Sequence, residues 1–255
     1  MRSSSREDLR KLWADLKIGP GDLVMCHSFV GALGQIEGGV PSIIETLQEA
    51  VGPEGHLVFP TFTYSYFDNE VFDWNESPST VGILGDIARQ TPGAVRSLDP
   101  VFSMVCLGPN AEALMARNSI YSFGEDSIYG KLHRANCKIL LLGVNFTAMS
   151  LFMHLERLLG VPYRYDKKFS GRTRKDGVLY EDEAVHYVRD MTIDFDNDRT
   201  EIGQILEADS RCHSARLGYK KHLCMASHAI AEIVKKQFDL NPYNLVRYPA
   251  HQHNK

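Results

Sequence analysis

The sequence predicts an α/β protein: a three-layer αβα core with a mostly buried central sheet, followed by an antiparallel C-terminal extension. Three observations carry this. Short apolar runs at 23–26 (LVMC), 56–60 (HLVFP) and 138–144 (KILLLGV) have the unbroken texture of strands covered on both faces. Segments with a helical apolar period lie between the strands. Beyond Gly160 the segments shorten and alternate, and Asp176-Gly177 stands where a two-residue hairpin turn belongs.

The elements follow in order. Ser5 can cap a first helix, with Asp8 three residues on and Leu9, Leu12, Trp13 and Leu16 on one face; Gly19-Pro20-Gly21 stops it. The strand at 23–26 leads through a glycine-bearing loop, Gly31 to Gly39, into a helix with Pro41 near its first turn and Ile43, Ile44, Leu47 and Val51 inward. Gly52-Pro53-Glu54-Gly55 turns the chain into 56–60. A helix over 81–90 precedes strands at 103–107 and 138–144, and helices near 200–208 and 225–238 close the chain. No Pro/Gly/Ser linker divides it. Residues 1–255 read as one domain, the core to about 160 and the extension from about 161.

Composition narrows the function classes. The 255 residues carry 28 Lys+Arg against 32 Asp+Glu, a net charge of −4, so a basic nucleic-acid footprint is not expected. No apolar run approaches the roughly 20 residues of a membrane helix, and MRSSSREDLRKLW lacks the apolar stretch of a signal peptide. Five cysteines without a CxxC read as reduced thiols, so a cytoplasmic protein without a metal site is expected. There is no GxxxxGK[ST], no GxGxxG after a strand, no HExxH and no GxSxG.

Four segments can carry chemistry. Residues 26–41 (CHSFVGALGQIEGGVP) join a strand to a helix through small residues, which is either an anion site or a tight connection. In 96–103 (RSLDPVFS), Arg96 can pair with a phosphate and Ser97 and Ser103 can donate hydrogen bonds, or the arginine is a solvated loop residue. In 149–156 (MSLFMHLE), a His and a Glu sit inside an apolar helix, where either needs a partner. Finally, 164–175 holds six basic residues and one acid, whereas 181–201 holds eight acids and two arginines. Such runs are solvated hairpin faces, or one face guides phosphates and the other a cation.

In sequence order, HSFVGALGQIEGG (27–39), EAVGPEGHLVFPTFT (49–63), FDWNESPSTVGILGD (72–86), GAVRSLDPVFSMVCLGP (93–109), FGEDSIYGKL (123–132) and KILLLGV (138–144) before HLE resemble the aminoglycoside 3-N-acetyltransferase family. The resemblance covers roughly residues 20–165. It implies transfer of an acetyl group from acetyl-CoA to a primary amine in a ternary complex. It implies that His27, Ser28, Phe29, Gly38, Gly39, Arg96, Ser97 and Ser103 line the CoA site, with Phe123 and Gly124 beside it. His154 and Glu156 would be base and orienting group, and Asp73 and Asp99 would contact the substrate. Two features depart from the family pattern. The family's catalytic helix carries H-x-x-E, whereas here the spacing is H-x-E and Met153 stands three before Glu156. Asp99 stands where many antibiotic-modifying members have His.

On these grounds the expected acceptor is an amino sugar, free or nucleotide-linked, and the alternative is a polycationic aminoglycoside, as in antibiotic resistance. A non-catalytic CoA-binding relative is a further alternative, and a thiol enzyme using Cys26 beside His27 is disfavoured, because adjacent strand residues point to opposite faces. The expected partners are the amine and acetyl-CoA, with neither nucleic acid nor membrane; a homodimer is left open.

Overall fold

The computed structural model describes residues 3–247. Its first half runs α1 (Arg6–Asp15), β1 (Leu23–Ser28), α2 (Pro41–Val51), β2 (His56–Pro60), β3 (Phe72–Asp73), α3 (Ile83–Arg89), β4 (Val95–Arg96), β5 (Met104–Leu107) and α4 (Ala111–Met115). Then come α5 (Ile128–Arg134), β6 (Lys138–Leu142), α6 (Leu151–Leu159), β7 (Arg164–Lys175), β8 (Val178–Arg189), α7 (Thr200–Ala208), β9 (His213–Leu217), β10 (Lys220–Ala226) and α8 (Ser227–Leu240). Helix α1 begins at a full capping box, Ser5 accepting from the Asp8 amide while the Asp8 carboxylate accepts from the Ser5 amide.

The central sheet has the order β4-β5-β2-β1-β6-β10-β9. Only β2, β1 and β6 run parallel; the strands outside them pair antiparallel. The two-residue period of a strand sorts its side chains between two cores. Val24, Cys26, Leu57, Phe59, Leu140 and Leu142 pack with α1, α2 and α3 on one face. Met25, Val58, Ile139 and Leu141 pack with α4 to α8 on the other. Sheet burial on both faces is what makes the strand sequences continuously apolar, and each fully buried large side chain contributes about 1.5–3 kcal/mol.

Three expectations shift. The segment after residue 160 is not wholly an extension, because β9 and β10 enter the central sheet, with Cys224 opposite Leu140 and Met225 opposite Ile139. Only β7 and β8 stand off it, in a three-stranded sheet with β3. The apolar run 222–226 is the physical reason: Leu223 and Met225 fill one core and Cys224 the other. The helix expected from 225 therefore begins at Ser227, and the strand expected to 144 ends at Leu142. The hairpin turn falls at Asp176-Gly177, where φ is +49° and +80° and Lys175 faces Val178.

Candidate active site

A cavity of about 400 Å³ opens at the C-terminal ends of the parallel strands β1, β2 and β6, the end at which open α/β sheets bind ligands. Strand β1 supplies Cys26, His27 and Ser28, and β2 ends at Pro60 with Phe62 and Tyr64 beyond it. The loop after β6 supplies Val144, Thr147, Ala148 and Met149, and helix α6 with its cap supplies Met153 and Ser150. Gly143 makes this crowding feasible: with φ +73°, a Cβ there would come within 2.3 Å of the Ala32 Cβ and 2.8 Å of the Phe29 carbonyl. His27 Nε2 lies 3.5 Å from Ser150 Oγ, which accepts a 2.6 Å hydrogen bond from the Tyr129 hydroxyl. Burial lowers the His27 pKa to about 4, so its ring is neutral at pH 7. Burial pushes the Cys26 thiol up, away from thiolate formation, which removes the chemical basis of a thiol enzyme.

Helix α6 divides the residues that the sequence put together. Ser150 and Met153, one turn apart, face the cavity; His154 turns into the core and is 0% exposed. His154 Nδ1 accepts from the Gly124 amide at 3.2 Å, and its ring lies 6.3 Å from Tyr129 and 5.5 Å from His133, centroid to centroid. Burial, then the nearby His133, lowers its pKa to about 3. It is a neutral core histidine and does not line the cavity. Glu156 is also fully buried. Its carboxylate meets Arg199 at 2.6 Å and Arg164 at 2.7 Å, and accepts from the Tyr163 hydroxyl at 3.2 Å. It does not orient His154, since two residues along a helix point to different faces. Arg199 itself lines the cavity, so the ion cluster backs onto the cavity wall.

The expected cofactor segment is a clasp. Arg96 is 6% exposed and donates to Ser103 Oγ (3.2 Å), the Trp74 carbonyl (3.3 Å), the Ser77 carbonyl (2.6 Å), the Thr61 carbonyl (3.0 Å) and Thr63 Oγ1 (3.1 Å). Every nitrogen of its fork is engaged, which leaves no donor for a phosphate. Burial lowers its pKa to about 10. Ser97 Oγ accepts from the Met104 amide at 2.9 Å, and Ser103 Oγ donates to the Thr61 carbonyl at 2.7 Å. Both stitch strands together.

The remaining expected residues also have structural partners. Asp73 accepts from the Asn75 and Glu76 amides at 3.1 Å and pairs with Arg174 at 3.2 Å. Asp99 accepts from the Val101 and Phe102 amides (3.0 and 2.7 Å) and from the Ser122 hydroxyl. Phe29 is exposed, with Lys220 over its ring, and Gly38 and Gly39 are exposed where the loop pairs with Ser4. None of these lines the cavity. Phe123 is a core residue, and Gly124, at φ +106°, leaves room for Arg157, whose guanidinium a Cβ would approach to 2.0 Å. The basic run lies on β7 and faces only the first three acids of the acidic run, on β8, with Arg172 opposite Glu181 and Lys168 bonded to Glu183 at 2.7 Å. Other members pair outside the hairpin, Arg164 with Glu156, Arg174 with Asp73 and Asp182 with Arg117.

Sequence reading missed Ser150, Tyr129, Arg164 and Arg199. One signal was present: a carboxylate in an apolar helix demands a cation. Which arginine answers it is a matter of tertiary contact. Among the described residues, no group of three or more His, Cys, Asp or Glu is placed to hold a metal ion, and no helix is long and apolar enough to cross a membrane.

Residues 25–239 match the model of a family described as aminoglycoside 3-N-acetyltransferase. The chain is similar to aminoglycoside N(3)-acetyltransferase III of Salmonella sp, 29% identical over 198 residues, covering 67% of this chain and 66% of that one. It is 31% identical over 180 residues to aminoglycoside N(3)-acetyltransferase IX of Micromonospora chalcea, covering 63% of each. The chain thus spans slightly less than two thirds of these relatives. Among solved structures, AAC-IIIb in binary complex with CoASH superposes with a TM-score of 0.81 at 23% identity, covering 94% of this chain and 98% of that one. The AAC(3)-IVa apoenzyme gives 0.83 at 24%, covering 99% and 95%. These two likenesses bear on the fold.

Proposed function

The chain belongs to the aminoglycoside 3-N-acetyltransferase family, and from that premise we propose that it transfers an acetyl group from acetyl-CoA to a primary amine of an aminoglycoside. The names of the relatives support this acceptor class over a nucleotide-linked amino sugar. The observation that carries the reading is the cavity at the strand ends. Its wall joins apolar and aromatic groups (Phe62, Tyr64, Phe102, Val144, Met149) to a polar edge of His27, Ser28 and Ser150. No carboxylate lines it among the described residues, which suits the uncharged thioester arm of the acetyl donor.

An amine attacks a thioester only when unprotonated, so the site must hold the amine neutral beside the carbonyl and accept a proton as the C–N bond forms. The Ser28 hydroxyl is among the wall donors available to the carbonyl oxygen as charge develops there. A non-catalytic CoA-binding relative is the second reading, and one observation favours it: Met153, not a histidine, faces the cavity from α6.

The test is thiol release from acetyl-CoA with gentamicin, a second aminoglycoside, a free amino sugar and a nucleotide-linked one. Release with the aminoglycosides supports the proposal. Release only with an amino sugar returns the acceptor to that class. Calorimetric binding of CoA without release by any amine establishes the second reading instead.

A further inference from the structure

We propose that the proton-accepting group of this site is His27, at the end of strand β1, and that helix α6 supplies none. The inference rests on the acetyl-transfer reading above and assigns the residue that reading needs. Elimination along the cavity wall is the first argument. The titratable groups there are Cys26, His27, Tyr64 and Arg199. Burial raises Cys26 and Tyr64, so neither yields a base at neutral pH, and Arg199 is a cation paired with Glu156. His27 alone is a neutral group with a lone pair to offer.

Position is the second argument. The turn of α6 that faces the cavity carries a thioether, Met153, while His154 is sealed in the core against Gly124, Tyr129 and His133. Orientation is the third. Tyr129 donates to Ser150 Oγ at 2.6 Å, and that oxygen stands 3.5 Å from His27 Nε2. Ser150 and Tyr129 therefore act as positioning residues that hold the imidazole at the wall.

The step balances without a further reactant. The amine nitrogen bonds to the thioester carbonyl carbon and the C–S bond breaks. One amine proton passes to the His27 ring and from it to the departing sulfur, leaving the amide and the free thiol. A buried imidazole is a modest base, yet once protonated it is a strong acid toward the leaving thiolate.

The test uses the protein and its His27→Gln, His27→Ala and His154→Leu variants. His27→Gln is expected to lower kcat at least about a hundredfold, with the calorimetric Kd for CoA within about threefold of wild type. His154→Leu is expected to keep the wild-type kcat. Imidazole added to His27→Ala is expected to restore part of the rate, which a purely structural role would not allow. Independently of turnover, ¹⁵N spectra of the histidine rings should show His27 shifting as CoA is added while His154 does not. An active wild type whose His27→Gln variant stays within about threefold of it, or a His27 ring that ignores saturating CoA, overturns this assignment alone. A wild type that releases no thiol overturns the transfer reading and this one together.

Discussion

Arg96 and Arg199 are both nearly inaccessible, at 6% and 3% exposure, yet their surroundings differ. Arg96 holds three segments together through uncharged carbonyls and hydroxyls, and no anion is hydrogen-bonded to it. Arg199 shares one carboxylate with Arg164 and has its other side on the cavity. The first is a neutral-acceptor clasp whose worth is the sum of its hydrogen bonds. The second is an ion cluster in which two cations depend on Glu156. Burial alone does not separate a positioning arginine from a structural one; the nature of the acceptors does.

The comparison predicts a ranking of losses. Glu156→Gln should be the most damaging, because it leaves two buried guanidinium groups without their shared anion. The expected loss is roughly 3–5 kcal/mol of unfolding free energy, read from urea midpoints. A loss below about 1 kcal/mol would mean that the cluster is hydrated. Arg96→Met should follow, at about 2–3 kcal/mol, since it abandons the Trp74 and Ser77 carbonyls while the Thr61 carbonyl keeps the Ser103 hydroxyl. The same variant should leave the KM for acetyl-CoA unchanged; a rise of tenfold would restore the phosphate role that the sequence suggests.

Third comes a pH effect. His154 is neutral in the fold, with its pKa near 3, whereas an unfolded histidine binds a proton below about pH 6.5. Stability from this group is therefore complete above pH 6.5 and falls as pH drops from 6.5 toward 3, by about 2 kcal/mol at pH 5. Melts of wild type and His154→Leu between pH 7 and 5 should show the variant losing less. Smallest of all, Lys168→Ala removes an exposed cross-strand pair with Glu183 and should leave the melting temperature unchanged within error. A clear drop would show that the hairpin charges hold it in place.

Much of the architecture is legible because it is local or periodic. Ser5 and Asp8 cap a helix through groups three residues apart, and Asp176-Gly177 adopt positive φ values that favour such residues. The β9–β10 hairpin is not legible in the sequence, because the run 222–226 is too short to be told from the start of the helix that follows it. In the site, His27, Ser28 and Met153 reach the cavity wall from segments the sequence singled out, whereas Arg96, Asp73 and Asp99 find partners that no spacing announces.

The sequence by itself determined the alternation of elements, the doubly covered strands 23–26, 56–60 and 138–144, and a pattern specific enough to place the chain in its family. These depend on neighbours along the chain and on period. Only the tertiary structure decided which face of α6 meets the cavity, which arginines answer Glu156, and that His27 rather than His154 stands at the wall. Those outcomes depend on how helices roll against the sheet and on which groups burial brings within about 3 Å, and linear spacing records neither.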